Sequence, residues 1–187
     1  MDNQTLTCCS IAFSQVIRQA AVDVLGHSEA ASLPRREDGC ISPGALIAAL
    51  EQRYGATAAK GIAQRMGRAA FQYFLALYGS DLNLTGMEYR LLPYRRRLQA
   101  GLQAVSRKLA EECGAEINQE ADASAYYWQI SWQRGLGDGD GRRGFSYFLA
   151  GMAQEWMSWS GGGKFYNVRE MPDSGSCVLK IDQTPLD

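Results

Sequence analysis

From Ile11 to Cys113 the apolar residues recur at helical spacing. Ile11, Val16, Ala20 and Val24 mark one face of a helix from Ile11 to Leu25, and Gly26 supplies a stop. Ser42-Pro43-Gly44 reads as an N-cap followed by proline in the first turn, with Leu46, Ile47 and Leu50 as the apolar face and Gly55 as the end. A longer helix is expected over 56–78, where Ile62, Met66, Ala69, Ala70, Tyr73, Phe74 and Leu77 follow the i, i+3, i+4 rule. Gly61 and Gly67 lie inside it. Each costs up to about 1 kcal/mol relative to alanine, so together with the surrounding alanines they imply close approach of another backbone, either within the chain or across a subunit contact. Pro93 opens the next helix, whose face is Leu98, Leu102, Val105 and Leu109, and Cys113-Gly114 closes it.

Beyond Gly114 the period changes. Tyr126, Trp128, Ile130 and Trp132 alternate with other residues and fall on one face of a strand, with 115–121 as its hairpin partner. Arg134 to Gly144, rich in glycine and aspartate, reads as a flexible turn. Phe145, Phe148, Leu149, Met152, Trp156 and Trp159 then give the strongest amphipathic helix in the chain, ended by Gly161-Gly162-Gly163. Two closing strands are expected at 164–170 and 176–182. Helices and hairpins that are segregated along the chain imply an α+β fold, with N-terminal helices packed on a four-stranded antiparallel sheet and a long helix between the two hairpins. A single ligand-binding domain over 1–187 is expected, with residues 1–14 disordered or arm-like.

Composition narrows the chemistry. The chain has 187 residues, 46% hydrophobic and 21% charged, within the usual globular range. Nineteen Lys+Arg against 20 Asp+Glu leave a net charge of −1, which argues against nucleic acid as the main partner. No apolar run is long enough to span a membrane. Five scattered cysteines without a CxxC pair do not form a disulfide framework, so a cytoplasmic location is expected and Cys8 and Cys9 look incidental. A single histidine, His27, excludes histidine-rich zinc sites and limits triad chemistry.

Several motifs fall short of a function. Gly161-Gly162-Gly163-Lys164 lacks the spacing and following helix of a phosphate loop. Asp138 and Asp140 echo a calcium loop, but Leu149 stands at the twelfth position. His27, just past a helix stop, reads as a surface residue rather than an axial ligand. Arg95-Arg96-Arg97, with Arg90, opposes the helix dipole and is a candidate anion site. The aromatic residues are more informative. Four Trp, nine Tyr and six Phe concentrate on two helices and one strand, and can form a core or the walls of a flat apolar pocket.

The stretch from Phe145 to the C-terminus resembles the 4-vinyl reductase-type hydrocarbon-binding domain, through Gly151, Gly162, Glu170, Gly175, Cys177 and Ile181. Gly55, Gly61, Gly67, Arg68 and Phe71 match its glycine-bearing helix, and Leu92-Pro93 and Gly101-Leu102 its next segment. The resemblance implies an α+β ligand-binding fold shared with vesicle-tethering subunits and with sensor domains of aromatic-responsive activators. It also implies a homodimer and, in one branch, an accessory role in (bacterio)chlorophyll biosynthesis. Zinc-binding members use a Glu and three cysteines. Glu170 and Cys177 match two of these, but Asp173 stands where a cysteine belongs, so zinc is not expected.

The expected function is therefore non-enzymatic binding of an apolar small molecule, with a tetrapyrrole as the ligand the resemblance suggests. The domain would act as carrier, sensor or accessory protein to a partner enzyme. Phe71, Phe74, Trp128, Phe148, Met152 and Trp156 are expected to line the site, and Arg68 or Arg90 to meet a ligand carboxylate. No catalytic residue is assigned. The alternatives are a subunit of a vinyl-reducing enzyme and a dimeric interaction scaffold with a filled core.

Overall fold

The computed structural model of the chain describes residues 8–132, 139–171 and 177–186. In chain order the elements are α1 (Ile11–Leu25), α2 (His27–Ala31), α3 (Pro43–Tyr54), α4 (Ala56–Tyr78), α5 (Met87–Leu91), α6 (Tyr94–Cys113), β1 (Ala115–Ala121), β2 (Ala125–Trp132), α7 (Gly139–Ser160), β3 (Tyr166–Met171) and β4 (Cys177–Pro185). The strands form one antiparallel sheet in the order β1-β2-β4-β3. The fold is α+β, as the patterning predicts.

One sheet face is buried. Tyr126, Trp128 and Ile130 of β2, Leu179 and Ile181 of β4, and Tyr166 and Val168 of β3 alternate inward, and Trp128 pairs with Leu179 across the β2–β4 ladder. Helix α7 packs on β3 and β4, and α6 on β1. On its other side α7 lies against α4 and α3, and α1 covers α4.

Three local features differ from expectation. Helices α2 and α5 have five residues each, too short to show a hydrophobic period. Helix α7 starts at Gly139 instead of at Phe145. Gly144, just before Phe145, packs against α3: a Cβ added there would lie 2.3 Å from the Ile47 side chain. The rest of the expected turn, 134–138, lies outside the described residues. Ser42 precedes α3, as its position predicts, but its side chain makes no capping hydrogen bond.

The N-terminal segment also corrects the reading of the cysteines. Cys8 and Cys40 form a disulfide across 32 residues, so Cys8 is not incidental, and the argument from cysteine count to a reducing compartment loses its premise. From Cys8 onward the chain is not an arm. The Cys9 N–H donates to Ile41 O at 3.0 Å and the Ser10 N–H to Glu112 O at 2.7 Å. Ser10 Oγ accepts from Phe13 N–H, capping α1, and its hydroxyl donates to the Glu112 carboxylate. Burial pushes the Glu112 carboxyl up, but the contacts from Lys108 and from the Ser10 hydroxyl outweigh it and hold the group below its usual range.

Helices α4 and α7 approach each other closely. A Cβ on Gly67 would lie 1.9 Å from Phe148 O, and one on Gly151 would lie 2.0 Å from Gln64 O. Each glycine admits the backbone of the other helix. The close approach expected from the small residues of α4 is therefore intramolecular at Gly67. Gly61, by contrast, faces open space.

Two outcomes follow for stability. Gly67→Ala should lower the unfolding free energy by about 1–3 kcal/mol or more, because the new methyl meets backbone. Gly61→Ala should leave it unchanged or raise it by up to about 1 kcal/mol; urea denaturation of the two variants compares them directly. Reduction of Cys8–Cys40, or Cys40→Ser, should destabilise by about 2–4 kcal/mol. This is read as a lower thermal midpoint with reductant that the Cys40→Ser variant does not show.

Candidate functional site

The site is the corner where α5, the start of α6 and the end of α7 meet. Pro93 positions the first turn of α6, which carries Arg97. The Arg97 guanidinium spans the corner: Nη1 donates to Arg90 O at 3.1 Å and Nη2 to Ser160 O at 3.0 Å. Its backbone carbonyl accepts from the Tyr89 hydroxyl at 2.7 Å. One turn further along α6, Gly101 leaves room for the Trp156 ring. A Cβ there would lie 1.8 Å from Trp156 Cζ2 and 2.3 Å from the Tyr89 hydroxyl, so the indole and the phenol meet over this glycine.

Aromatic rings wall the corner. Trp156 has Trp159 at 5.4 Å, and Phe71 and Tyr89 each at 6.0 Å, between ring centroids. The Tyr94 and Tyr166 hydroxyls hydrogen-bond to each other. Burial pushes the Tyr89 phenol up to about 12, which keeps it a neutral donor.

Within this wall, three polar groups lack partners among the described residues. The Trp156 indole Nε1–H, the Ser160 hydroxyl and the Arg97 Nε–H make no hydrogen bond. Trp156 is 0% exposed and Ser160 4%. An indole N–H and a guanidinium N–H can only donate, and an unpaired buried polar group costs about 1–3 kcal/mol. An acceptor placed here removes that cost. The charge agrees: among the described residues no carboxylate pairs with Arg90, Arg95, Arg96 or Arg97.

The residues expected to line one pocket divide between several places. Phe71 and Trp156 belong to the corner. Phe74 and Phe148 both pack edge-on against Phe13, at 6.4 and 6.2 Å, and Phe148 also stacks on Phe145 at 4.9 Å. Met152 sits at the α4–α7 crossing beside Gly67. Trp128 lies in the sheet and donates its indole N–H to Gln119 at 3.2 Å. Arg68 is on a different face, paired with Glu155 at 3.1 Å and lying over the Phe165 ring. Arg90 is exposed and contributes its backbone carbonyl.

Glu170 accepts from the Ser146 hydroxyl at 3.1 Å and from the Cys177 thiol at 3.5 Å. Asp173 lies outside the described residues. Among those described, no group of three or more His, Cys, Asp or Glu could hold a metal. His27 is exposed at the start of α2, on a groove of about 430 Å³ that Gln15, Arg18 and Gln19 also line. Sequence reasoning missed Tyr89, Gly101 and Ser160. The signal that could have found them was the Gly101-Leu102 pair, a glycine in the middle of an otherwise regular helix.

No family model and no curated protein sequence matches the chain. Solved structures do. An H-NOX protein from S. oneidensis in the Fe(II)NO ligation state superposes with a TM-score of 0.58 at 11% identity, over 92% of this chain and 98% of that one. A mutant H-NOX protein from S. oneidensis in the Fe(II) state gives 0.60 at 12% identity, over 94% and 97%. A structure described as modulating haem redox potential through protein-induced porphyrin distortion gives 0.56 at 13% identity, over 95% and 96%. At such identities the likeness is one of fold: the chain has the H-NOX fold.

This overturns the resemblance to the 4-vinyl reductase-type domain. Three of the matched glycines have a backbone explanation that does not depend on family. Gly67 and Gly151 permit a helix crossing, and Gly162, at φ +71°, makes a turn. Any chain with this element order can require glycine there.

The residues do not fit a haem in the interior. The single histidine is at the surface, and the centre is occupied by rings in mutual contact, Phe13, Phe74, Phe145 and Phe148, all 0% exposed. Of the buried thiols, Cys113 is pushed well up by burial and by its contact with Cys9, so it stays protonated and is a poor iron ligand.

Proposed function

We propose that this chain is a small-molecule-binding sensor or accessory domain on the H-NOX fold that works without a histidine-ligated haem. The observation that carries the reading is the α5–α6–α7 corner, where three buried donors without partners face a wall of Tyr89, Trp156, Trp159 and Phe71. Buried polar groups in native proteins are nearly always satisfied, so three unpartnered ones at one corner call for an explanation, and a bound ligand supplies it. An apolar wall with a few convergent polar groups is the usual make-up of a small-molecule site.

In this reading residues 1–187 act as one ligand-binding domain, and no bond is made or broken. The fold supports a sensing role, since the solved structures that share it are of proteins studied in defined iron and NO ligation states. What differs here is the donor set. The arginines at the start of α6 take the part that the sequence suggested for Arg68 or Arg90, with Arg97 as the group that reaches inward.

Tryptophan fluorescence tests the reading, because Trp156 and Trp159 report on the corner. Toluene, phenylacetate, hexanoate and hemin are titrated separately into the purified chain. At least one of the first three should give a saturable change, and hemin should not form a one-to-one complex that His27→Ala abolishes. Absence of any saturable response to the small molecules overturns the proposal.

A further inference from the structure

The corner also specifies the class of ligand. Resting on the binding role proposed above, we infer that the α5–α6–α7 corner is a carboxylate site, which takes a small organic acid by its charged end through Arg97, Trp156 and Ser160.

Each backbone carbonyl at the corner already accepts a side-chain hydrogen bond: Arg90 O and Ser160 O accept from Arg97, and Arg97 O accepts from Tyr89. The groups left over are the Arg97 Nε–H, the Trp156 Nε1–H and the Ser160 hydroxyl. Two of these can only donate. A ligand hydroxyl or amide would offer one acceptor and bring donors of its own. A carboxylate offers two oxygens with about four lone-pair sites and brings no donor. Hydrogen bonds to a charged acceptor are also about twice as strong as neutral ones.

The geometry supports the same class. Trp156 and Ser160 are four residues apart on α7, so their side chains stand on one face, one turn apart. Arg97 is fixed by both of its Nη groups to backbone carbonyls, and its Nε–H is therefore held in one direction without further ordering cost. The field is cationic. Arg90 on α5 and Arg95 and Arg96 in the first turn of α6 are exposed, Glu88 on α5 is exposed, and Glu155 is committed to Arg68. The hydrocarbon part of the acid then meets the faces of Tyr89, Trp159 and Phe71.

The arrangement also accounts for three cations at a helix start, where they oppose the helix dipole. An anion bound beside them offsets that repulsion.

The test uses the full chain labelled with ¹⁵N and follows the indole N–H signals, with Trp156 identified by its loss in Trp156→Phe. Two matched pairs are titrated: phenylacetate against phenylacetamide, and hexanoate against hexanamide. The acids should shift the Trp156 signal saturably and bind at least ten-fold more tightly than their amides. Arg97→Gln should reduce acid affinity to that of the amide. Ser160→Ala, a milder change, should weaken acid binding several-fold and keeps the test open if Arg97→Gln does not fold. Equal binding of acid and amide overturns the carboxylate inference while leaving the binding role intact. No binding of any of the four, with the Trp156 signal unmoved, overturns both and marks the corner as a structural water site.

Discussion

The fold depends on the crossing of α4 and α7. Gly67 and Gly151 bring the two backbones into contact, and no other residue type permits that distance. From this crossing outward α7 places Phe148 against Phe13 of α1 and Trp156 and Ser160 against α6. The sheet then closes over the far side of the same helix. A shift of α7 would therefore move the aromatic interior, the sheet contact and the candidate site together.

With α4 and α7 in backbone contact, the centre holds interlocked phenylalanine rings, and the histidine that could ligate iron is on the surface. Unpartnered polar groups are found instead at the periphery of the core, at the α5–α6–α7 corner. There Gly101 plays the part that Gly67 plays at the crossing: it lets a large group, the Trp156 ring, lie directly on a helix. The disulfide Cys8–Cys40 and the Glu112 contacts fix the opposite end by tying the N-terminal segment to α6 and to the loop before α3.

Much of the fold was legible because the long elements carry strong periods. The ranges of α1 and α4 and the start of α6 at Pro93 can be read from residue spacing and from proline and glycine punctuation. The parts that were not legible depend on distance in three dimensions. Helices α2 and α5 are shorter than two turns, and α7 begins before Phe145, where Gly144 lies against Ile47 of α3. The Cys8–Cys40 pair has no sequence signature across 32 residues. The site was half legible. The arginine run and the aromatic helix were both visible, but only the fold shows that Arg97 reaches Ser160 and that Phe74, Phe148 and Trp128 are core. Of the glycines that suggested a specific family, Gly67 and Gly151 record a backbone contact between two helices instead.

The most direct test of the central claim, an H-NOX fold whose interior is closed by side chains, is native mass spectrometry with a visible absorption spectrum on the protein isolated from its own host. The account predicts the mass of the chain, alone or with a small colourless acid, and no visible band. One iron porphyrin per chain with visible absorption would contradict it.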